Sequence, residues 1–111
     1  MKYIFSVILF FTLVSAGTVS GQKKKAERAY EFYKSGEYYE AIDQFKNTYS
    51  KTKDKALKAE MVFMVSECYR MINDPKNAET WYKLAVKSSF SKPEAEFYLA
   101  ESLKKNGKYQ A

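Results

Sequence analysis

The sequence predicts an all-α protein built from antiparallel helix pairs, and three observations support this prediction. Beyond residue 21 the chain has only two glycines and two prolines, so little interrupts a helix. Apolar residues recur at spacings of three and four residues, which places them on one helical face. The turn Gly36-Glu37-Tyr38 returns as Gly107-Lys108-Tyr109, which indicates an internal repeat.

The repeat unit spans a little over thirty residues. Predicted helix pairs begin near Gln22, Ala59 and Pro93, so the first interval is slightly longer than the second. Ala41 and Ala78 occupy the same place in consecutive units, and an aromatic residue follows each of them. A period of this length is typical of helix-turn-helix solenoids. The alternative is an ordinary bundle of amphipathic helices. Such a bundle would explain one Gly-Xaa-Tyr turn, but not turns and small residues that recur at the same spacing.

The first unit, residues 22–58, is predicted to form two helices that pack on each other. The first helix runs from Lys23 to Ser35, and Gly36 ends it because glycine adopts the left-handed conformation freely. The second runs from Tyr38 to Ser50. So short a turn brings the helices together, and small residues are needed where they cross. The expected crossing residues are Ala29 and Ala41, and the layer beside them is Phe32, Ile42 and Phe45.

The later units repeat this plan with other side chains. Asp54 is predicted to cap a long helix that ends near Ile72. Asp74 is predicted to cap the next helix, with Pro75 in its first position. Residues 91–94 (SKPE) predict a capping box that opens the third unit. The expected packing residues are Ser66 and Ala78 at the crossing, then Val62, Val65, Tyr69, Tyr82 and Ala85, then Leu99, Ala100 and Leu103.

These residues resemble the tetratricopeptide repeat family. Its units carry a small residue, an aromatic, a Gly-Xaa-Tyr turn, an alanine and a second aromatic, in that order. The resemblance covers unit 1 (22–58), unit 2 (59–92) and a partial unit 3 (93–111), and it implies an antiparallel helix-pair solenoid. The family's tryptophan position is filled by other residues here. The matching residues are Ala29, Phe32, Gly36, Tyr38, Ala41 and Phe45, then Ser66, Tyr69, Asn73, Pro75, Ala78 and Tyr82, then Ala100, Leu103, Gly107 and Tyr109.

The resemblance also implies a concave groove, lined by the first helix of each unit, that binds partner proteins or peptide segments. The family's lysine and asparagine clamp for a peptide carboxylate is missing, so we expect aromatic anchors with acidic residues beside them to fix a basic residue. The alternative is that these aromatics only pack between helices. The expected groove residues are Tyr30, Tyr33, Lys34, Phe63, Glu67, Arg70, Phe97 and Glu101.

Residues 1–21 have the pattern of a secretory signal peptide. A positive start is followed by an apolar run over residues 3–14 and by small residues before a lysine cluster. Twelve helical residues span about 18 Å against a hydrocarbon core of about 30 Å, so a cleaved signal is favoured over an uncleaved anchor. Cleavage is expected after Gly21 or after Ala16. We therefore expect an exported protein, periplasmic or associated with the outer membrane, with no membrane span after cleavage.

Composition argues against catalysis and cofactors. The chain has no histidine and one cysteine, Cys68, which removes the commonest general base and the usual metal ligands. Cys68 is expected to be a buried apolar residue, with an intermolecular disulfide as the alternative. No small-molecule substrate is expected. The net charge is +6, but the lysines are interleaved with glutamates along the helices, which is typical of solvated helix faces. A nucleic-acid-binding surface would concentrate positive charge on one face with arginines, and the chain has only two arginines.

A second, more specific resemblance is to a group of proteins of the bacterial cell envelope. The signal peptide, the lysine-rich start and the Tyr- and Lys-rich repeats are similar to the N-terminal region of Bacteroidota envelope proteins. These carry tetratricopeptide repeats before a peptidoglycan-binding OmpA-like domain, and some serve type IX secretion and gliding. A solenoid that stops at Ala111 is expected to be the front of a longer protein or a truncated product. The main hypothesis is therefore a protein-binding scaffold. The alternatives are a spacer for an anchoring domain and, least favoured, an enzyme.

Overall fold

The structure, a computed structural model, describes residues 24–108. Five α-helices and no strand occur within these residues, so the predicted all-α class is confirmed. The predicted signal peptide and Tyr109 lie outside the described residues. No helix among residues 24–108 combines the length and the apolar run needed to cross a membrane. The helices are α1 (24–34), α2 (Tyr38–Lys51), α3 (Lys55–Met71), α4 (Pro75–Lys87) and α5 (Pro93–Lys105).

Three helices end in the same way. Gly36, Asn73 and Gly107 all have positive φ, at 82°, 58° and 72°. At each end the next amide donates to a carbonyl five residues back, the long bond of a Schellman motif. The three left-handed residues are separated by the same two intervals as the predicted starts of the helix pairs. The long bonds are Glu37 to Phe32, Asp74 to Tyr69 and Lys108 to Leu103, each 2.9 Å.

Helix starts agree with the predictions in part. Asp54 accepts hydrogen bonds from two amides of α3, and Asp74 accepts one from the amide of Asn77, so both caps are confirmed. The predicted capping box at 91–94 is wrong, because Lys92 is the N-cap of α5 and makes no side-chain cap bond. Pro93 explains this, since it has no N–H to cap and its fixed φ suits a first helical position.

The predicted helix opening near Ala59 is also wrong. Helix α3 begins at Lys55, because the Asp54 carboxylate already satisfies the amides of Ala56 and Leu57. The predicted boundary between units 1 and 2 therefore falls within α3, about one turn after its start.

Helices that follow one another in the chain contact each other, and so do alternate helices. Helix α2 packs on α3, α3 on α4 and α4 on α5. Alternate helices also touch, since the rings of Tyr49 on α2 and Trp81 on α4 meet edge to face at 5.8 Å. The guanidinium of Arg70 on α3 lies 4.0 Å from the ring centroid of Tyr98 on α5. One layer thus contains α2 and α4, and the other contains α3 and α5.

The core follows the predicted small-residue crossings in the first two units. Ala29, Ala41 and Ser66 are fully buried, and Ala78 is 1% exposed. Ala100, expected at the equivalent place in α5, is instead exposed, because none of the described residues covers it. The largest fully buried side chains are Tyr82, Phe45, Met61 and Val65.

Candidate functional site

The groove residues lie on α1, α3 and α5. Tyr30 on α1 lies beside Glu60 on α3, and burial and this carboxylate raise the pKa of its phenol above the usual value. The ammonium of Lys92, just before α5, lies 4.8 Å from the ring centroid of Phe63 on α3. These contacts place the three helices side by side, which brings the groove residues onto one layer of the fold.

Two of the expected aromatic anchors are packing residues in this structure. The ring of Tyr30 meets Phe45 of α2 edge to face at 5.1 Å. The ring of Phe63 meets Tyr82 of α4 in the same way at 6.3 Å. Tyr30 and Phe63 are both partly buried. These two side chains therefore contact the other helix of their own pair, which is the arrangement expected if the aromatics pack between helices.

Glu67 is engaged within its own chain. Its Oε2 lies 2.8 Å from Nη2 of Arg70, and its Oε1 accepts a hydrogen bond from the hydroxyl of Tyr82. The residue is 8% exposed. The carboxylate of Glu67 is thus already paired within the chain, and Arg70 supplies the cation beside it. The nearby carboxylate raises the pKa of the Arg70 guanidinium, and burial followed by Glu67 raises the pKa of the Tyr82 phenol.

Tyr33 and Lys34 form the α1 part of the surface. The ring of Tyr33 meets Tyr38 edge to face at 5.5 Å. Burial and then the negative charge of Glu67 raise the pKa of the Tyr33 phenol, which places this ring near the buried carboxylate. Lys34 is exposed. This end of the surface therefore offers a partly covered aromatic ring next to a solvated cation.

Helix α5 carries the most open part of the surface. Phe97 is 66% exposed, and Ala100 and Lys104 beside it are also exposed. Glu101 is partly exposed and lies 3.8 Å from the ammonium of Lys105. Four side chains on one face of α5 line a shallow depression of about 290 Å³: Phe97, Ala100, Glu101 and Lys104.

Sequence reasoning missed two residues at this surface, Lys92 and Tyr98. Lys92 covers Phe63, and Tyr98 stacks under Arg70 at 4.0 Å. The repeat contained a signal for Tyr98, because it holds the same place in the third unit as the buried Met64 in the second. Lys92 had no such signal, since it precedes the helix and its position depends on the loop.

A thiol and several carboxylates are further reactive groups among the described residues. Cys68 is a free thiol that is fully buried, as expected from the sequence. Burial raises the pKa of Cys68 to about 12, so the thiol stays protonated at neutral pH. Within residues 24–108 no group of three or more histidine, cysteine or acidic residues is placed to hold a metal ion.

Comparison of the chain with protein-family models, with curated proteins and with solved structures finds no match. The resemblance to tetratricopeptide repeats therefore rests on the residues quoted above. The recurring helix ends and the contacts between alternate helices are the structural features that bear on it.

Proposed function

We propose that this chain is an exported tetratricopeptide-type scaffold of the bacterial cell envelope, which docks other proteins or peptide segments along α1, α3 and α5. One observation carries the proposal. The same Schellman helix end recurs at Gly36, Asn73 and Gly107, at the two intervals predicted for the helix pairs. A chain that repeats one helix pair and stacks it on itself is a solenoid unit, and its extended surfaces bind proteins.

The contacts between layers support a stacked array. Tyr49 reaches Trp81 across one layer, and Arg70 reaches Tyr98 across the other. Neighbouring units thus contact each other through two aromatic rings in one layer and through a cation over a ring in the other. Stacking of this kind leaves one layer of helices open to a partner along its length.

The exposed side chains of that layer suit a protein partner. Phe97 is an aromatic residue 66% exposed to solvent, and the charges of Lys34 and Glu101 lie on the same layer. Aromatic residues surrounded by polar groups dominate the binding energy of protein interfaces. The surface therefore has one strong anchor on α5 and charges that set orientation.

Site-specific photo-crosslinking in the native cell tests the binding function. A photoreactive residue replaces the groove residue Lys34 on α1 or Met71 on α3, the exposed residue that directly follows the groove residue Arg70. Lys76 and Lys87, exposed on α4, serve as matched controls. The same discrete partner adducts are expected from Lys34 and Met71 and not from either control. Equal adduct patterns from all four positions would argue against a binding groove.

Mass spectrometry of the chain in the envelope fraction tests export. Cleavage after Gly21 leaves Gln22 first, and cleavage after Ala16 leaves Gly17 first. A chain that keeps Met1 and stays in the cytosolic fraction would contradict export while leaving the binding surface in place.

A further inference from the structure

One end of the molecule gathers lysines from four helices. Consecutive helices that pack together across short turns run in opposite directions. Helices α2 and α4 therefore end where α1 and α3 begin, and residues far apart in the chain meet there. We define the basic end as Lys25, Lys51, Lys53, Lys55, Lys58 and Lys87.

An apolar depression of about 220 Å³ lies at this end, and lysines stand at its edge. Its apolar lining includes Tyr49 of α2, Val62 of α3 and Leu84 of α4, and Leu84 is 43% exposed. Lys55 and Lys58 line the same depression. The ammonium of Lys58 lies 5.2 Å from the ring centroid of Tyr49. The depression therefore combines an apolar floor with a cationic edge.

The lysines of the basic end are not paired with acids of the described residues. Asp54 is the one acid in residues 51–58, and its carboxylate accepts hydrogen bonds from two amides of α3. Hydrogen bonding to Lys51 and the like charge of its ammonium lower the pKa of Lys25 below its ordinary value, so these two cations lie close together. Within residues 24–108 the ion pairs belong to other cations, namely Arg70, Lys83, Lys105 and Lys108.

A turn at the same end presents an exposed aromatic residue. The carbonyl of Ser88 accepts a hydrogen bond of 3.1 Å from the amide of Ser91, so residues 88–91 form a β-turn. The hydroxyl of Ser88 accepts a second bond, of 3.0 Å, from the amide of Phe90. Phe90 is 54% exposed. The turn thus holds a large apolar side chain in solvent, one turn of chain beyond Lys87.

This combination suits a lipid surface better than an acidic protein. Lysine is a point charge on a flexible stem, whereas geometrically specific recognition of a carboxylate favours arginine, and residues 51–58 and 84–90 contain no arginine. Lysines close to an anionic bilayer add to binding through charge alone, without a fixed geometry. Exposed phenylalanine and leucine side chains enter the boundary between headgroups and acyl chains.

We propose that the basic end binds the surface of a bilayer that contains anionic phospholipids. The lysines contact lipid phosphates, and Phe90 and Leu84 enter the headgroup boundary. The surface consists of helix ends and loops that precede α5, so it does not depend on the residues after 108. The inference goes beyond the proposed binding function and uses none of the groove residues.

Co-sedimentation with lipid vesicles tests the proposal. The chain that begins at Gln22 is used, because it lacks the apolar run of residues 3–14. Vesicles of phosphatidylcholine alone are compared with vesicles that contain about 30% phosphatidylglycerol. Binding to the anionic vesicles is expected to be saturable and at least about tenfold tighter than to the neutral ones. It is expected to weaken at least about tenfold at about 0.5 M salt, because salt screens exposed charges.

Two double variants remove the same charge from opposite ends of the molecule. Lys55→Gln with Lys87→Gln changes the basic end, and Lys76→Gln with Lys104→Gln changes the other end; all four side chains are exposed. The first variant is expected to weaken binding to anionic vesicles at least about tenfold, and the second less than about threefold. Both are expected to fold, because no buried side chain is altered.

A second matched pair tests the aromatic contact. Phe90→Ala is expected to weaken binding to anionic vesicles about fivefold or more, because its side chain enters the headgroup boundary. Tyr39→Ala is the control, since Tyr39 is 69% exposed and lies at the start of α2, at the opposite end. A change of less than about twofold is expected there.

Three results would overturn the proposal. The first is equal binding to neutral and anionic vesicles. The second is equal weakening by the two double variants, because net charge alone then attracts the chain. The third is no binding to anionic vesicles; capture of soluble polyglutamate in that case would assign the basic end to an acidic protein. None of these results bears on the crosslinking test at Lys34 and Met71, so the two proposals fail separately.

Discussion

Tyr82→Phe removes one hydroxyl group from the centre of the α3–α4 interface. The side chain of Tyr82 is fully buried, and its hydroxyl donates to Oε1 of Glu67 while it accepts from Nε of Arg70 at 3.3 Å. Without the hydroxyl, the 8% exposed carboxylate keeps only Arg70 as a partner. A hydrogen bond to a charged group contributes about 1.5–3 kcal/mol, so the free energy of unfolding is expected to fall by about 2 kcal/mol.

Urea denaturation followed by the fluorescence of Trp81, the residue before Tyr82, measures this loss. For a domain of this size, about 2 kcal/mol corresponds to a fall of about 8–16 °C in Tm. Tyr39→Phe is the matched control, because Tyr39 is 69% exposed, and a change below about 0.5 kcal/mol is expected there. Equal stability of the Tyr82 and Tyr39 variants would refute the buried hydrogen-bond network.

Three further predictions follow from other parts of the fold. Ala41→Leu is expected to destabilise the protein by about 1–3 kcal/mol in the same assay, because Ala41 is fully buried at the α1–α2 crossing; an unchanged stability would contradict that close approach. Gly36→Ala is expected to lower the free energy of unfolding by about 1–2 kcal/mol, because alanine is strained at a φ of +82°. An added Cβ would meet no atom within 4 Å, so backbone strain is the only cause expected, and a stabilised variant would mean that this turn is not left-handed. Lys83, Lys108 and Asn106 hold the pKa of Glu79 at about 2, below its ordinary 4.5, so the stability it contributes is present above pH 4.5 and is lost as the pH falls towards 2. Acid unfolding of Glu79→Gln should lack that part of the loss, and identical acid profiles for the variant and the wild type would contradict it.

The sequence predicted the helix caps and turns whose physical cause lies within a few residues of chain. Asp54 and Asp74 cap helices because a carboxylate near free amides needs only a few residues of chain to act. The left-handed turns at Gly36 and Gly107 follow from glycine itself, and Asn73 takes the same role in the unit between them. Ser91 and Pro93 give competing signals for the start of α5, and the sequence pattern predicted the wrong N-cap residue there.

The candidate site was less predictable, because its side chains meet across helices. The sequence placed Tyr30, Phe63 and Glu67 on one layer, but it did not show that Phe45 and Tyr82 cover them. Burial of a charged residue depends on a partner far along the chain, as Glu67 depends on Tyr82 of the next helix. The repeat pattern predicts which residues lie on the same face of each helix. The packing of the neighbouring helix decides which of those side chains are exposed to solvent.

The sequence by itself determined the helical class and the left-handed helix ends at Gly36 and Gly107, because periodicity and turn residues act within a short stretch of chain. Only the tertiary structure decided which aromatic residues remain free. Phe63 and Phe97 have the same place in consecutive units, yet one lies under Tyr82 and the other is 66% exposed. The difference is physical, because an aromatic side chain at this position is buried or exposed according to whether a helix lies against it.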